Sequence, residues 1–268
     1  MNPKKKNLSN FLKTTGANSH GRLGPLLLIC TGLIFASGSV SAGKEASPTK
    51  VSLPLNSMEE LEVTTFADNG NVKAKAEVEE YRGRQAFHMM LGADGQALAL
   101  VRNSEFKDGA IELDLAATPR QGAPADSRGF VGVAFRVQEK AARFETVYLR
   151  MTNGRADDQI RRNHSVQYTS EPDYPWHRLR KESPGVYESY VDLEAGEWTK
   201  LRIEVAGAKS AVYVNGAPQP CLIVNDMKLG ESRGQVALWV GSDTDAHFSN
   251  LQIKPKTNAN SSDALQPR

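Results

Sequence analysis

Short runs in which apolar and polar residues alternate one by one fill much of this sequence, and they limit its fold more than any other feature. Leu201, Ile203 and Val205 are separated by charged residues, and a similar run ends at the turn signal Asn215-Gly216. Further runs of this kind occur at 72–79, 111–115, 131–137, 236–240 and 248–253. A period of two is typical of half-buried strands, and no long run has helical periodicity. The pattern therefore predicts an all-β protein, a sandwich of antiparallel sheets.

The N-terminus has the features of a targeting segment. Five basic residues and no acidic residue precede position 43, an apolar run covers 26–35, and small residues lead up to Ala42. This order is typical of a secretory signal peptide, and the run is too short for a membrane span, which needs about 20 apolar residues. We expect residues 1–42 to be a cleaved signal peptide, with a periplasmic or secreted protein and no stable membrane insertion afterwards. An uncleaved anchor is the alternative.

Removal of the leader defines the expected domain plan. Residues 43–58 are a polar lead-in, 59–254 form one β-sandwich domain, and 255–268 are a polar, disordered tail. Since five of the 33 basic residues lie in the leader, 28 basic and 31 acidic residues remain, a net charge of −3. Nucleic acid is therefore not an expected partner. Cys221 is the single cysteine of this part, so we expect no internal disulfide.

The alternation weakens between residues 153 and 196, where polar and aromatic residues crowd together. Long irregular segments in compact domains are usually functional or disordered. The aromatic content of this segment argues against disorder. We therefore expect a functional site of this chain to lie in the segment.

Four segments carry a resemblance to known proteins. They are Arg-Gly-Phe-Val-Gly-Val-Ala-Phe-Arg-Val (128–137), Gly-Glu-Trp-Thr-Lys-Leu-Arg-Ile-Glu-Val (196–205), Ala-Val-Tyr-Val-Asn-Gly (211–216) and Phe-Ser-Asn-Leu-Gln-Ile (248–253). Their order resembles the concanavalin A-like jelly-roll superfamily, and more narrowly the laminin-G-like domains and the bacterial 3-keto-disaccharide hydrolase-like domain family. The resemblance implies two packed antiparallel sheets with loops or a concave face available for sugars. The Gly-x-x-Leu-x-x-Trp opening often found in the hydrolase-like group is absent, and none of that group's catalytic residues is carried over.

Common catalytic patterns are incomplete or missing. Glu112 and Asp114 begin the Glu-x-Asp-x-x-Glu pattern of some jelly-roll glycosidases, but Ala117 stands where the third carboxylate belongs. A retaining glycosidase needs two carboxyl groups about 5 Å apart, which this strand cannot supply by itself. The sequence contains no Gly-x-Ser-x-Gly nucleophile motif and no glycine-rich phosphate loop.

No metal or other cofactor is expected. The four histidines outside the leader have no zinc-binding spacing, and they are His88, His164, His177 and His247. His88 lies in a strand-like run and is interpreted as a strand residue. Two acidic pairs, Asp157 with Asp158 and Asp243 with Asp245, leave a structural calcium ion as the less favoured alternative to ordinary Asp-rich turns.

The irregular segment contains the residue types that sugar sites use. Amide and charged side chains match sugar hydroxyls, and Tyr and Trp offer flat apolar surfaces with a polar tip. The candidate substrate-binding residues are Asn153, Arg155, Asp157, Gln159, Arg161, Arg162, Asn163, Gln167, Tyr168, Tyr174, Trp176 and Arg178. His164 is the candidate catalytic acid or base, because imidazole titrates near neutral pH. A surface network of ion pairs that only holds the segment in place is the alternative.

These observations favour an exported carbohydrate-binding or glycan-recognition protein, whose partner is an oligo- or polysaccharide. A periplasmic glycoside hydrolase or lyase that uses His164 is the first alternative. An envelope structural or interaction protein without a small ligand is the second. The sequence does not set the oligomeric state.

Overall fold

Two antiparallel β-sheets face each other in the computed structural model, which describes residues 50–66 and 74–256. Sheet A contains β1 (Val51–Leu53), β3 (Lys75–Tyr81), β4 (Arg84–Leu91), β6 (Gly109–Pro119), β11 (Thr199–Ala206), β12 (Lys209–Val214), β13 (Leu222–Val224) and β15 (Thr244–Pro255). Sheet B contains β2 (Leu61–Phe66), β5 (Gln96–Val101), β7 (Phe130–Val137), β8 (Phe144–Arg150), β9 (Val166–Glu171), β10 (Glu188–Ser189) and β14 (Gln235–Gly241).

The strand order separates neighbours in sequence. Sheet A runs β13-β12-β11-β6-β15-β4-β3, with β1 on β15, and sheet B runs β10-β9-β8-β7-β14-β5-β2. The strand pairs in both sheets are antiparallel. The all-β, two-sheet antiparallel jelly-roll sandwich expected from the sequence is confirmed.

The core lies between the inner faces of the two sheets. Leu113 and Leu115 of β6 and Val236 and Leu238 of β14 are fully buried. Their neighbours point outward because successive side chains of a strand alternate between faces. Burial of each such side chain stabilises the fold by about 1.5–3 kcal/mol, so the period-two pattern fixes which face is inside.

The edges of the sandwich differ from the expected domain plan. Val51–Leu53 lie within the expected lead-in 43–58, yet they pair with Leu251–Ile253 of β15, so sheet A begins before residue 59. Val51 and Leu53 pack against the core, which explains the extra strand. The expected signal peptide, the first seven residues of the lead-in and most of the expected tail lie outside the described residues.

The irregular segment 153–196 contains regular elements. The helices are α1 (Gln159–Arg162) and α2 (Trp176–Glu182), and β9 and β10 also lie in this segment. The carboxylate of Asp158 accepts a hydrogen bond of 2.9 Å from the backbone nitrogen of Arg161, which caps α1. Because β9 and β10 join sheet B, the segment is anchored to that sheet.

Candidate functional site

One row of residues crosses the outer face of sheet B. The row is set by the strand register, in which Glu188 pairs with Gln167, Gln167 with Tyr148, Tyr148 with Gly132, Gly132 with Trp239, and Trp239 with Leu98. Side chains of directly paired residues lie on the same face of a sheet. One end of the row is therefore polar and its middle is aromatic.

Two stacked rings form the aromatic part of this face. The ring centroids of Tyr148 and Trp239 are 4.7 Å apart with planes 26° from parallel. Phe130 meets Tyr148 edge-on at 6.1 Å. The indole nitrogen of Trp239 donates a hydrogen bond of 2.6 Å to Oε1 of Gln96, which holds the ring in place. The rings meet because Gly132, between them in the row, has no side chain.

These rings line a cavity of about 670 Å³, which we call the groove. Its lining residues are Phe66, Asp94, Gly95, Gln96, Phe130, Tyr148, Thr169, Glu171, Trp176, Trp239, Gly241 and Ser242. Trp176, from the first turn of α2, is 46% exposed, whereas Tyr148 and Trp239 are nearly buried. The groove therefore has an aromatic floor, one exposed tryptophan and several polar side chains.

Glu171 is a carboxyl group in the groove with a perturbed pKa. Burial raises the pKa of its carboxyl, and a hydrogen bond from Thr169 opposes the rise. Among residues 50–66 and 74–256, no lysine or arginine forms an ion pair with Glu171. A carboxyl in such a place keeps its proton to a higher pH than usual and is suited to acid–base work.

A buried arginine joins the aromatic floor to the polar end of the row. Arg150 donates hydrogen bonds to the hydroxyl of Tyr148 (2.9 Å) and to Oε1 of Gln167 (3.2 Å). It also donates to the backbone oxygen of His164 at 2.9 Å. Burial lowers the pKa of Arg150. These bonds hold the Tyr148 ring and the Gln167 side chain in place, so Arg150 acts as a positioning residue.

Glu188 lies at the polar end of the row beside His164. Arg180 donates to both carboxylate oxygens of Glu188, at 2.9 and 2.6 Å. His164 Nδ1 is 2.9 Å from Oε2 of Glu188, a contact that is an ion pair only when the imidazole is protonated. Burial lowers the pKa of His164, which favours its neutral form. His164 is not among the residues that line the groove.

The residues that the sequence predicts for the site lie in different parts of the structure, and only some of them are at the groove. Trp176 lines the groove, and Gln167 and His164 lie beside it. Tyr168 is fully buried on the inner face, where its hydroxyl contacts Glu145. Asn153 is also buried, and its amide donates to the backbone oxygen of His164 at 3.1 Å.

The other predicted residues contact their own segment. Arg155 forms ion pairs with Asp192 and Glu194, and Arg178 forms one with Glu182 while its guanidinium covers the Tyr174 ring. The other contacts are hydrogen bonds: Arg161 donates to Asn153 and Thr152, Arg162 to the Tyr190 hydroxyl, and Gln159 to Asn163. Asp157 is exposed. None of these eight predicted residues lines the groove.

The sequence reasoning missed most of the groove. Tyr148 of β8 and Trp239 of β14 lie outside the irregular segment, and Glu171 lies inside it at the end of β9. Large aromatic residues at the outward positions of strands were the available signal.

Two other groups considered from the sequence have structural partners. Asp114 accepts hydrogen bonds from Arg84 (2.9 Å) and Asn250 (2.8 Å) on the outer face of sheet A. Burial raises the pKa of Cys221 to about 11, so its thiol stays protonated at neutral pH and is a poor nucleophile.

A further cluster of chemistry-bearing side chains lies on the outer face of sheet A. Glu79, His88 and His247 there each offer one atom, and these atoms are within 4.8 Å of one another. The arrangement is one that can hold a metal ion. Within the part of the chain that the structure describes, no helix is long and apolar enough to cross a membrane.

The family of this chain follows from a match over most of its length. The profile of the family described as 3-keto-alpha-glucoside-1,2-lyase-like domain matches residues 63–254. The chain belongs to this family. The match confirms the resemblance inferred from the four sequence segments, and the 3-keto-alpha-glucoside-1,2-lyase-like domain of this chain includes every residue that lines the groove. A search of curated proteins found no match.

Solved structures share the fold of this lyase-like domain. A Bacillus subtilis protein of unknown function with a galectin-like fold has a TM-score of 0.50 at 10% identity, covering 78% of this chain and 96% of that chain. A carbohydrate-binding module from Bacillus subtilis has a TM-score of 0.47 at 14% identity, covering 68% and 95%. A prokaryotic β-1,3-1,4-glucanase (lichenase) from a mouse hindgut metagenome has a TM-score of 0.49 at 13% identity, covering 78% and 100%. At such identities the likeness concerns the fold alone.

Proposed function

We propose that this protein binds a carbohydrate, an oligo- or polysaccharide, in the groove on the outer face of sheet B. The observation that carries the proposal is the position of the exposed Trp176 over a groove whose floor is aromatic and whose walls are polar. The volume of about 670 Å³ is within the usual range of ligand pockets, about 300–1,000 Å³.

The chemistry of the lining suits a sugar. A pyranose ring presents apolar C–H groups on its faces and hydroxyl groups at its edge. Trp176 offers a flat surface to the C–H groups. Asp94, Glu171 and Ser242 offer hydrogen-bonding partners for the hydroxyl groups. Because Tyr148 and Trp239 are held by Arg150 and Gln96, the floor is in place before a ligand arrives.

Calorimetric titration of the full-length protein with a panel of oligosaccharides tests this proposal. We expect Trp176→Ala to weaken binding about tenfold, since loss of ring stacking costs about 1.4 kcal/mol. The matched control is Trp198→Ala, because Trp198 contacts Tyr81 and Arg84 of sheet A, away from the groove. Equal affinities of the wild type and Trp176→Ala, or no binding across the panel, would contradict the proposal.

Glu171 supports a second candidate function, a lyase that acts on a 3-keto glucoside. A ketone at C3 acidifies the proton on C2. A base that removes this proton allows C1=C2 to form while the bond from C1 to the glycosidic oxygen breaks, and the proton then passes to the released oxygen. One carboxyl group can perform both transfers, and the raised pKa of Glu171 strengthens its carboxylate as a base.

Incubation with a 3-keto glucoside separates the two candidates. A lyase releases the alcohol and an unsaturated keto sugar, which chromatography and ultraviolet absorbance detect. Glu171→Gln is expected to abolish turnover and to keep binding. His164→Ala is expected to keep turnover, because His164 does not line the groove. Binding of the keto sugar without any product would leave carbohydrate binding as the function.

The N-terminal segment supports a proposal about location. The basic residues, short apolar run and small residues up to Ala42 favour export by a cleaved signal peptide. Expression in a bacterial host followed by N-terminal sequencing of the periplasmic fraction tests this. We expect a chain that begins at Gly43, and a full-length chain in the cytoplasm would contradict export.

A further inference from the structure

Two histidines stack on the outer face of sheet A, on the side of the sandwich opposite the groove. His88 of β4 and His247 of β15 are direct cross-strand partners. Their ring centroids are 4.5 Å apart and their planes differ by 7°. Only 7% of each side chain is exposed. Two nearly buried imidazoles in contact leave little room for water between them.

A carboxylate from the neighbouring strand faces both rings. Oε1 of Glu79, on β3, is 2.7 Å from Nε2 of His247 and 3.6 Å from Nδ1 of His88. Donor atoms around a tetrahedral zinc ion are about 3.3 Å apart, given bonds of about 2.0–2.1 Å. The separation of 3.6 Å is close to this value, that of 2.7 Å is shorter, and all three donors lie within 4.8 Å of one another.

A second carboxylate orients His88. Oδ1 of Asp245 is 2.8 Å from Nε2 of His88, the nitrogen that faces away from Glu79. Nε2 of His88 donates its proton to Asp245, and Nδ1 then lies 3.4 Å from Oε1 of Glu77 and 3.6 Å from Oε1 of Glu79. Metal-binding histidines commonly donate their second N–H to a carboxylate in this way. Oδ1 of Asp245 is also 4.0 Å from Nδ1 of His247, the second nitrogen of that ring.

We propose that Glu79, His88 and His247 bind a divalent zinc ion, with Asp245 as the outer carboxylate that orients the histidines. Two imidazole nitrogens and one carboxylate oxygen are a donor set that zinc accepts, and it leaves a fourth position for water. This site lies on a different sheet from the groove, so it is independent of the proposed carbohydrate binding.

Binding requires a local change in the rings. The lone pair of an imidazole nitrogen lies in the ring plane, and the two planes are nearly parallel, so at least one ring must rotate about χ2 for both lone pairs to meet one ion. Tyr81 stacks on the other face of His247 at 3.7 Å and restrains that ring. His88 therefore makes the larger rotation. Nε2 of His247 must also lose the proton that points to Glu79. This proton is released to solvent or moves to Nδ1 of the same ring, on the side of Asp245.

A zinc ion at this site would link the edge strand of sheet A to interior strands of the same sheet. Its ligands come from β3, β4 and β15, which are adjacent, and β3 is at the end of the sheet order. Edge strands expose unpaired backbone groups and need protection. A zinc ion held by Glu79 would fix β3 to two interior strands.

Titration of untagged, EDTA-treated full-length protein with zinc chloride tests the proposal. We expect one zinc ion per chain in the wild type. Glu79→Gln and His88→Gln are expected to weaken binding by at least tenfold, and Asp245→Asn by about 10–100-fold. The controls make the same changes elsewhere: Glu80→Gln alters the exposed neighbour of Glu79 on β3, and His177→Gln alters an exposed histidine of α2. Both should bind zinc as the wild type does.

A measurement on the wild type covers the case in which His88→Gln fails to fold. Zinc X-ray absorption should show two imidazole nitrogens with oxygen completing the coordination shell. Absence of zinc binding by the wild type, a sulfur ligand, or unchanged affinity in folded Glu79→Gln would each overturn the proposal. Loss of zinc binding leaves sugar binding in the groove unchanged, so the two proposals fail separately.

Discussion

Glu171 differs from most carboxyl groups of this protein in having no cationic partner within the residues that the structure describes. It is half-buried among the groove's aromatic rings, and burial raises the pKa of its carboxyl. The raised pKa has two consequences. The group is suited to proton transfer, and its ionisation opposes folding. Functional sites commonly contain groups whose environment disfavours their charged form.

The pH dependence of stability tests this account of Glu171. A pKa that is higher in the folded than in the unfolded chain contributes stability below the unfolded pKa, and this contribution is lost as the pH rises through the folded pKa. Glu171→Gln should therefore match the wild type in acid and exceed its free energy of unfolding at neutral pH. Urea unfolding between pH 4 and 8 measures the difference. The exposed control Glu60→Gln should show no such trend, and an equal trend in both variants would contradict the account.

The strands show why the aromatic floor exists. β7 places Gly132 between Tyr148 of β8 and Trp239 of β14. A Cβ atom at Gly132 would lie 2.2 Å from the backbone oxygen of Val147 and 2.6 Å from Cα of Tyr148. The two strands can therefore approach at this position only with glycine. The register of three strands and one missing side chain together bring the rings into contact.

Replacement of Gly132 tests this dependence on close approach. Gly132→Ala should lower the free energy of unfolding by about 1–3 kcal/mol, because backbone atoms must move to admit the methyl group. It should also weaken carbohydrate binding, since β8 carries Tyr148. Gly92→Ala is the matched control, because a Cβ atom there meets no atom within 4 Å. Unfolding by urea and calorimetric titration measure the two effects, and equal stability of the two variants would contradict the account.

At the scale of strands, the sequence predicted the inner faces better than the outer faces. Alternation identified Val131, Val133 and Leu238 as core residues because burial leaves a regular pattern. The outer faces of strands have no such requirement, so alternation does not single out Tyr148 and Trp239. The irregular segment contributed Trp176 to the groove, but most of its arginines pair within the segment.

At the scale of the whole molecule, sites form where segments that are distant in sequence come into contact. The alternation of apolar and polar residues does not show which segments these are. His88 and Asp245 are in contact although 157 residues separate them in sequence, and His88 is the cross-strand partner of His247. A spacing search finds zinc ligands only when they are close in sequence, which explains why the sequence predicted no metal. Arg136 shows the same limit: it is fully buried and bonds the backbone oxygens of Lys107 and Gly207 from distant turns.

The tryptophan side chains of the protein can report on the central claim, which is that the outer face of sheet B binds carbohydrate. The sequence has three tryptophans, two of which line the groove, while Trp198 precedes β11 and contacts Tyr81 of sheet A. Titration of ¹⁵N-labelled protein with the tightest oligosaccharide of the panel, followed by the three indole N–H signals, is the most direct test. We predict that the signals of Trp176 and Trp239 shift with ligand concentration and that of Trp198 does not. A shift of Trp198 alone, or three unchanged signals at saturating ligand, would contradict the account.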